Sequence, residues 1–127
     1  MLVAVAAASA LALFWPSLMQ GAAGGVPASE AVLLINREKA VLIDVCEPEE
    51  FAQGHAAGAK NIPLAQLEAQ LAQVVKNKSL PVILVCQSGG RASRAAAQAK
   101  KLGYERAQAL AGGLKAWREA SLPVEKA

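Results

Sequence analysis

The chain has 127 residues, enough for one domain, with 54% hydrophobic residues and a net charge of +3. That charge is mild and comes without the basic block of a nucleic-acid arm, so no nucleic-acid partner is expected. Two cysteines and one histidine form neither a Cys-x-x-Cys pair nor a full zinc ligand set, so no metal or cofactor is expected, and a small disulfide scaffold is excluded.

No charged side chain occurs before Glu30, and Leu2 to Met19 is apolar apart from Ser9, Pro16 and Ser17. As a helix this run would be about 27 Å long, enough for a bilayer's hydrocarbon core. Residues 1–20 are therefore expected to be a single-pass membrane anchor, with Trp15 near its end as an interfacial residue. A cleaved signal peptide would find small residues at Gly21-Ala22-Ala23 but lacks a basic n-region. Arg37 and Lys39 follow the run and no cation precedes it, which places the following domain in the cytoplasm. Residues 21–28, rich in glycine, read as a linker, and residues 29–127 as the folded domain.

Ser29 is a candidate N-cap for a helix through Asn36. Val41 to Val45 reads as a buried strand, apolar except for Asp44. Pro48 suits the first turn of a short helix, and Lys60 to Pro63 is extended. Leu64, Leu67, Leu71 and Val74 recur at helical spacing, predicting an amphipathic helix that ends near Asn77. Val82 to Val85 is a second buried strand, followed by an alanine-rich helix with Gly103 at its end. Ala107 to Ala111 should be a last strand and Leu114 to Glu119 a last helix. Strands alternating with helices predict an α/β fold with a parallel sheet covered on both faces. Ligands of such sheets bind beyond the strands' carboxyl ends, where Cys46 and Cys86 both fall.

Cys86-Gln87-Ser88-Gly89-Gly90-Arg91 lies between the second strand and its helix. Glycines let the backbone curl, and a helix amino end with loop N–H groups stabilises an anionic sulfur. Arg91 has two open roles: orienting an anionic donor, or bracing the loop against a carboxylate. Ser88 either donates to the reacting sulfur or faces solvent, and Gln87 is at most a mouth residue. Asp44 is read as a strand-end structural residue, with charge balance or a backbone contact near the site as its functional alternative. His55 is read as structural, and Trp117 as packing the last helix on the sheet.

The Cys-x-x-Gly-x-Arg loop resembles the active-site loop of the rhodanese family of sulfurtransferases. Other pieces match in order: Asp44-Val45, Glu50-Phe51, Gly54-His55, Gly58-Ala59, Asn61-Ile62-Pro63-Leu64, and Gly112-Gly113-Leu114 ahead of Trp117. The resemblance implies a five-stranded parallel sheet in which the strands before Cys46 and Cys86 are neighbours. It also implies sulfur transfer through a Cys86 persulfide, from a small sulfur-containing anion such as thiosulfate to a thiol, a protein acceptor or cyanide. Cysteine phosphatases use Cys-x5-Arg. Here Arg91 makes the spacing Cys-x4-Arg, which disfavours phosphatase chemistry.

One position departs from the family pattern: Cys46 stands where an arginine is usual. The second thiol raises the hypothesis that Cys46 resolves an oxidised Cys86 as a disulfide, against the simpler reading that it fills a strand-end pocket. The rival functions are thus a non-catalytic binding module at the membrane and a thiol redox protein using both cysteines.

Overall fold

The computed structural model describes residues 25–126. The expected apolar helix at residues 1–20 lies outside them. Among the described residues no helix is long and apolar enough to cross a membrane.

The chain runs through β1 (Gly25–Val26), α1 (Ala28–Glu38), β2 (Val41–Asp44), α2 (Pro48–Gln53), β3 (His55–Ala56) and β4 (Lys60–Asn61). A 3-10 turn at Leu64–Gln66 leads into α3 (Leu67–Val74). Then come β5 (Val82–Val85), α4 (Gly90–Lys101), β6 (Ala107–Leu110), α5 (Gly113–Glu119) and β7 (Val124–Glu125). Five strands form one parallel sheet in the order β1-β6-β5-β2-β4. β3 and β7 make a separate antiparallel pair.

β5 is the middle strand, and its Val-Ile-Leu-Val run is buried at all four positions. A strand covered on both faces needs apolar side chains pointing both ways, which is why this run does not alternate. Val82, Leu84 and Cys86 point into one core layer with Leu67 and Leu71 of α3 and Ala92, Ala95 and Ala99 of α4. Ile83 and Val85 point into the other, against Ala31 of α1 and Leu114 and Trp117 of α5. The alanine face of α4 brings that helix close to the sheet, which positions its amino end directly after β5. Trp117 is buried, and its indole N–H donates to the Pro123 carbonyl at 2.7 Å.

Four boundaries differ from the sequence expectation. The linker stops short of residue 28, because Gly25–Val26 pairs with Ala109 and Leu110 as the edge strand. Gly25 fits there for want of a side chain: a Cβ would lie 2.1 Å from the Ala109 carbonyl oxygen. Ser29 is not the N-cap of α1; Pro27 holds that position in an extended conformation and its carbonyl accepts from Ala31. The helix expected from Leu64 to Asn77 opens with a 3-10 turn and ends at Val74. Asn77 instead bends the chain, its side-chain oxygen accepting from both the backbone N–H and the hydroxyl of Ser79.

Candidate active site

β2 and β5 pair in register from Val41 with Val82 to Asp44 with Val85, so Cys46 and Cys86 emerge at the same end of the sheet. Cys86 is the first residue beyond β5, and the loop it opens ends at α4. Gly89 adopts φ +116°, the left-handed turn that sends the chain back toward the sulfur. The Gly89 N–H donates to the Cys86 Sγ at 2.9 Å and the Ala92 N–H reaches it at 3.4 Å. Cys86 is 1% exposed. Space opens over Gly90, where a Cβ would meet no atom within 4 Å beyond its chain neighbours and its own helix backbone.

The back of the loop is fastened by α5. The Leu114 and Lys115 N–H groups donate to the Cys86 and Gln87 carbonyls at 2.8 and 3.3 Å. That approach is why Gly113 must be glycine: it has φ +61°, and a Cβ would stand 2.4 Å from the Cys86 oxygen. With both carbonyls turned toward α5, the loop presents N–H groups to the sulfur.

Arg91 meets Glu50 through two hydrogen bonds, at 2.8 and 3.1 Å. Of the two roles the sequence left open, the geometry supplies the brace. The fork-to-carboxylate fit ties the start of α4 to α2. The guanidinium bond to Glu50, helped by the Glu47 N–H on the same carboxylate, holds the Glu50 carboxyl down at about 2. Glu50 in turn holds Arg91 above its already high value. Gln87 and Ser88 are exposed at the rim.

Asp44 is buried and accepts the Cys46 N–H at 2.9 Å, so it holds backbone at the strand end. Burial raises its carboxyl above the ordinary range, and the bonds to Cys46 offset only part of that. Cys46 is fully buried, and burial together with the adjacent Asp44 pushes its thiol up to about 12. At neutral pH it is a neutral thiol, and a resolving cysteine attacks as a thiolate. Both cysteines are free and share one apolar cluster. The geometry therefore favours Cys46 as a pocket-filling side chain.

Asn61 was matched in the sequence as part of Asn61-Ile62-Pro63-Leu64, without a role. Its side-chain amide donates to the Asp44 and Cys46 carbonyls at 3.1 and 2.9 Å, tying β4 to the turn after β2. Glu50 was noticed without a role. His55 is buried, stacked on Phe51 with ring centres 3.7 Å apart, and bonded to the Phe51 carbonyl at 2.7 Å. Beside the loop lies an open groove of about 510 Å³, with Val45 and Leu64 at its apolar side and Arg91, Arg94, Glu47 and Glu68 among its charged walls. Among the described residues no cluster of His, Cys, Asp and Glu is placed to hold a metal ion.

A family model described as "Rhodanese-like domain" matches residues 27–120. YqhL of Bacillus subtilis is 47% identical over 79 residues, which are 62% of this chain and 61% of that protein, so the chain spans only about three fifths of that relative. The thiosulfate sulfurtransferase GlpE of Pseudomonas putida is 32% identical over 104 residues, covering 80% of this chain and 90% of that one. Among solved structures, an Escherichia coli rhodanese with anions superposes with a TM-score of 0.62 at 33% identity, covering 69% of this chain and 99% of that one.

Proposed function

The chain belongs to the rhodanese-like domain family, and from that premise we propose that it is a sulfurtransferase working through a Cys86 persulfide. One observation carries the reading: the Gly89 and Ala92 N–H groups aim at the Cys86 sulfur where β5 gives way to α4. Fixed N–H dipoles stabilise negative charge on sulfur without reorganising during reaction.

In the first half-reaction the Cys86 thiolate attacks the outer sulfur of a donor such as thiosulfate. A sulfur–sulfur bond forms to Cys86, the donor's own sulfur–sulfur bond breaks, and sulfite leaves with the electron pair. In the second, an acceptor thiolate or cyanide attacks the terminal sulfur and the electron pair returns to Cys86. Splitting one transfer into two is covalent catalysis. Both anions enter over Gly90, where the loop is open. GlpE of Pseudomonas putida is named a thiosulfate sulfurtransferase, which supports the choice of donor. Arg91, engaged by Glu50, shapes the loop, while the groove beside it offers a larger thiol or a protein acceptor both signs of charge.

A binding module without catalysis is the competing reading, and the near-complete burial of Cys86 is what favours it. A thiosulfate–cyanide assay on the wild type and on Cys86→Ala separates the two. Activity only in the wild type, with one added sulfur on Cys86 by mass spectrometry, is the expected result. Equal weak activity in both proteins, and no added sulfur, overturns the enzyme.

We further propose that residues 2–19 anchor the chain in a membrane with its domain in the cytoplasm. The uncharged apolar run and the cations that follow it support this. Protease protection in sealed vesicles of known orientation tests it.

A further inference from the structure

The parallel sheet has two unlike ends. The carboxyl ends of the strands carry the Cys86 loop. The opposite end is closed by the turns from α1 to β2, from α3 to β5 and from α4 to β6. These turns are knit together: the Val41 N–H donates to the Pro81 carbonyl and the Val82 N–H to that of Arg106. Glu38 pairs with Arg106, and the Lys78 ammonium lies 5.6 Å from the centre of the Tyr104 ring.

This closed end is basic. Arg37 and Lys39 stand at the first turn, and Lys76 and Lys78 at the second. Lys100, Lys101 and Arg106 flank the third. All seven are exposed, and the carboxylates interspersed with them are Glu38 and Glu105. Five net positive charges are thus gathered at one end of a chain whose total is +3, leaving the remainder negative.

β1 runs parallel to β6, so its amino end points toward this same basic end. Ahead of it in the sequence lie the apolar run 2–19 and a five-residue connection, 20–24. At full extension such a connection reaches about 18 Å. A spanning segment holds the domain at the bilayer by itself, and a polybasic patch beside it decides which face of the domain meets an anionic leaflet. The attraction of lysine and arginine to an anionic leaflet decays within a Debye length, about 8 Å, so a short leash matters.

We propose that the basic end of the domain docks on anionic lipid headgroups, turning the Cys86 loop away from the bilayer toward its substrates. The leash part of the argument rests on the anchoring reading above; the charge distribution does not. A nucleic acid fits this surface less well. Tyr104 is the aromatic ring at this end among the described residues, and at 1% exposure it offers no face for a base to stack on.

The test places the full-length chain in lipid nanodiscs of phosphatidylcholine alone or mixed with phosphatidylglycerol. A short acylation pulse is then read lysine by lysine by mass spectrometry. Lys76, Lys78, Lys100 and Lys101 are expected to react on the order of threefold more slowly in the anionic discs, an effect erased by high salt. Lys60 and Lys115, outside the basic end, are expected to stay unchanged. The combined Lys76→Gln and Lys100→Gln variant should lose the protection at Lys39 and Lys78 while keeping wild-type sulfurtransferase activity. Incorporation into both discs with equal acylation overturns docking and leaves the anchor standing. Incorporation into anionic discs alone, reversed by salt, supports docking and overturns the anchor. Incorporation into neither overturns both, and tighter binding to duplex RNA than to anionic discs overturns the lipid assignment.

Discussion

At the residue scale, the site depends on side chains whose work is to place backbone. Glu50 is the clearest. Replacing it with glutamine keeps one acceptor but loses the second bond and the charge opposite Arg91. Both partners are about one third exposed, so solvent screening keeps the stability cost to about 1 kcal/mol or less. The effect on catalysis should exceed that on stability, because Arg91 begins the helix whose amides face Cys86. A tenfold or so fall in kcat with little change in melting temperature is expected, which about 1.4 kcal/mol lost from transition-state stabilisation would produce. The pH dependence has a definite sign. The folded-state carboxyl of Glu50 sits at about 2, below its ordinary value of 4.5. The pair's stabilisation is therefore complete above pH 4.5 and is lost as pH falls through about 2. Urea unfolding of wild type and Glu50→Gln should differ least at the acid end of that window, and a difference that grows on acidification would remove the pair from the account. Cys86 and its loop were legible in the sequence because their chemistry is local. The Glu50 partnership was not, since it joins residues forty-one positions apart and nothing in the spacing announces it.

At the element scale, the loop is held between two helix starts, α4 in front and α5 behind. The Gly112-Gly113 pair was visible as a motif, but its reason was not. That reason is the approach of α5 to the Cys86 carbonyl, a contact between segments that the sequence leaves far apart. Gly113→Ala adds a methyl 2.4 Å from that oxygen, at a backbone φ of +61°. It should cost about 1–3 kcal/mol of stability and most of the activity, because the carbonyl that retreats drags the Cys86 loop with it. Gly90→Ala is the matched control. Beyond its chain neighbours and its own helix backbone, no atom lies within 4 Å of the added methyl, and its φ is not left-handed. Its stability should be unchanged or slightly raised, as a glycine is removed from a helix start, while the methyl narrows the entrance and raises KM for thiosulfate. Thermal melts with steady-state kinetics on the two variants would test this. Equal stability losses would mean that the approach of α5 is not what selects glycine at position 113.

At the scale of the whole molecule, the alternation of strand and helix gave away the parallel sheet, and β4 showed as an extended piece, whereas the edge strand β1 and the separate β3–β7 pair stayed hidden. β1, β3, β4 and β7 are two residues each, too short for any periodicity. They exist because a distant partner offers hydrogen bonds: β6 for β1, β2 for β4, and β3 and β7 for each other. Net charge concealed an asymmetry in the same way, since +3 is the small remainder of a basic end and an acidic remainder. The sheet order implies a gradient of stability. β5 is paired on both sides, with β2 from Val82 to Val85 and with β6 from Val82 to Leu84, and its side chains fill both core layers. Its amides should open only with global unfolding, at the 5–15 kcal/mol typical of a domain. β1 has one partner and two residues, so it should open locally at far lower cost. Native-state hydrogen exchange across a urea series is the measurement. Val82 to Val85 should converge on the global unfolding slope, while Val26 exchanges with little denaturant dependence. If instead Val26 tracked β5, the edge strand would be part of the cooperative core, and the domain would begin at the sheet's margin with no weak first step. The Cys86 loop would then lose its expected contrast as well, because it joins the most protected strand to a helix start that must yield enough to admit two substrates in turn.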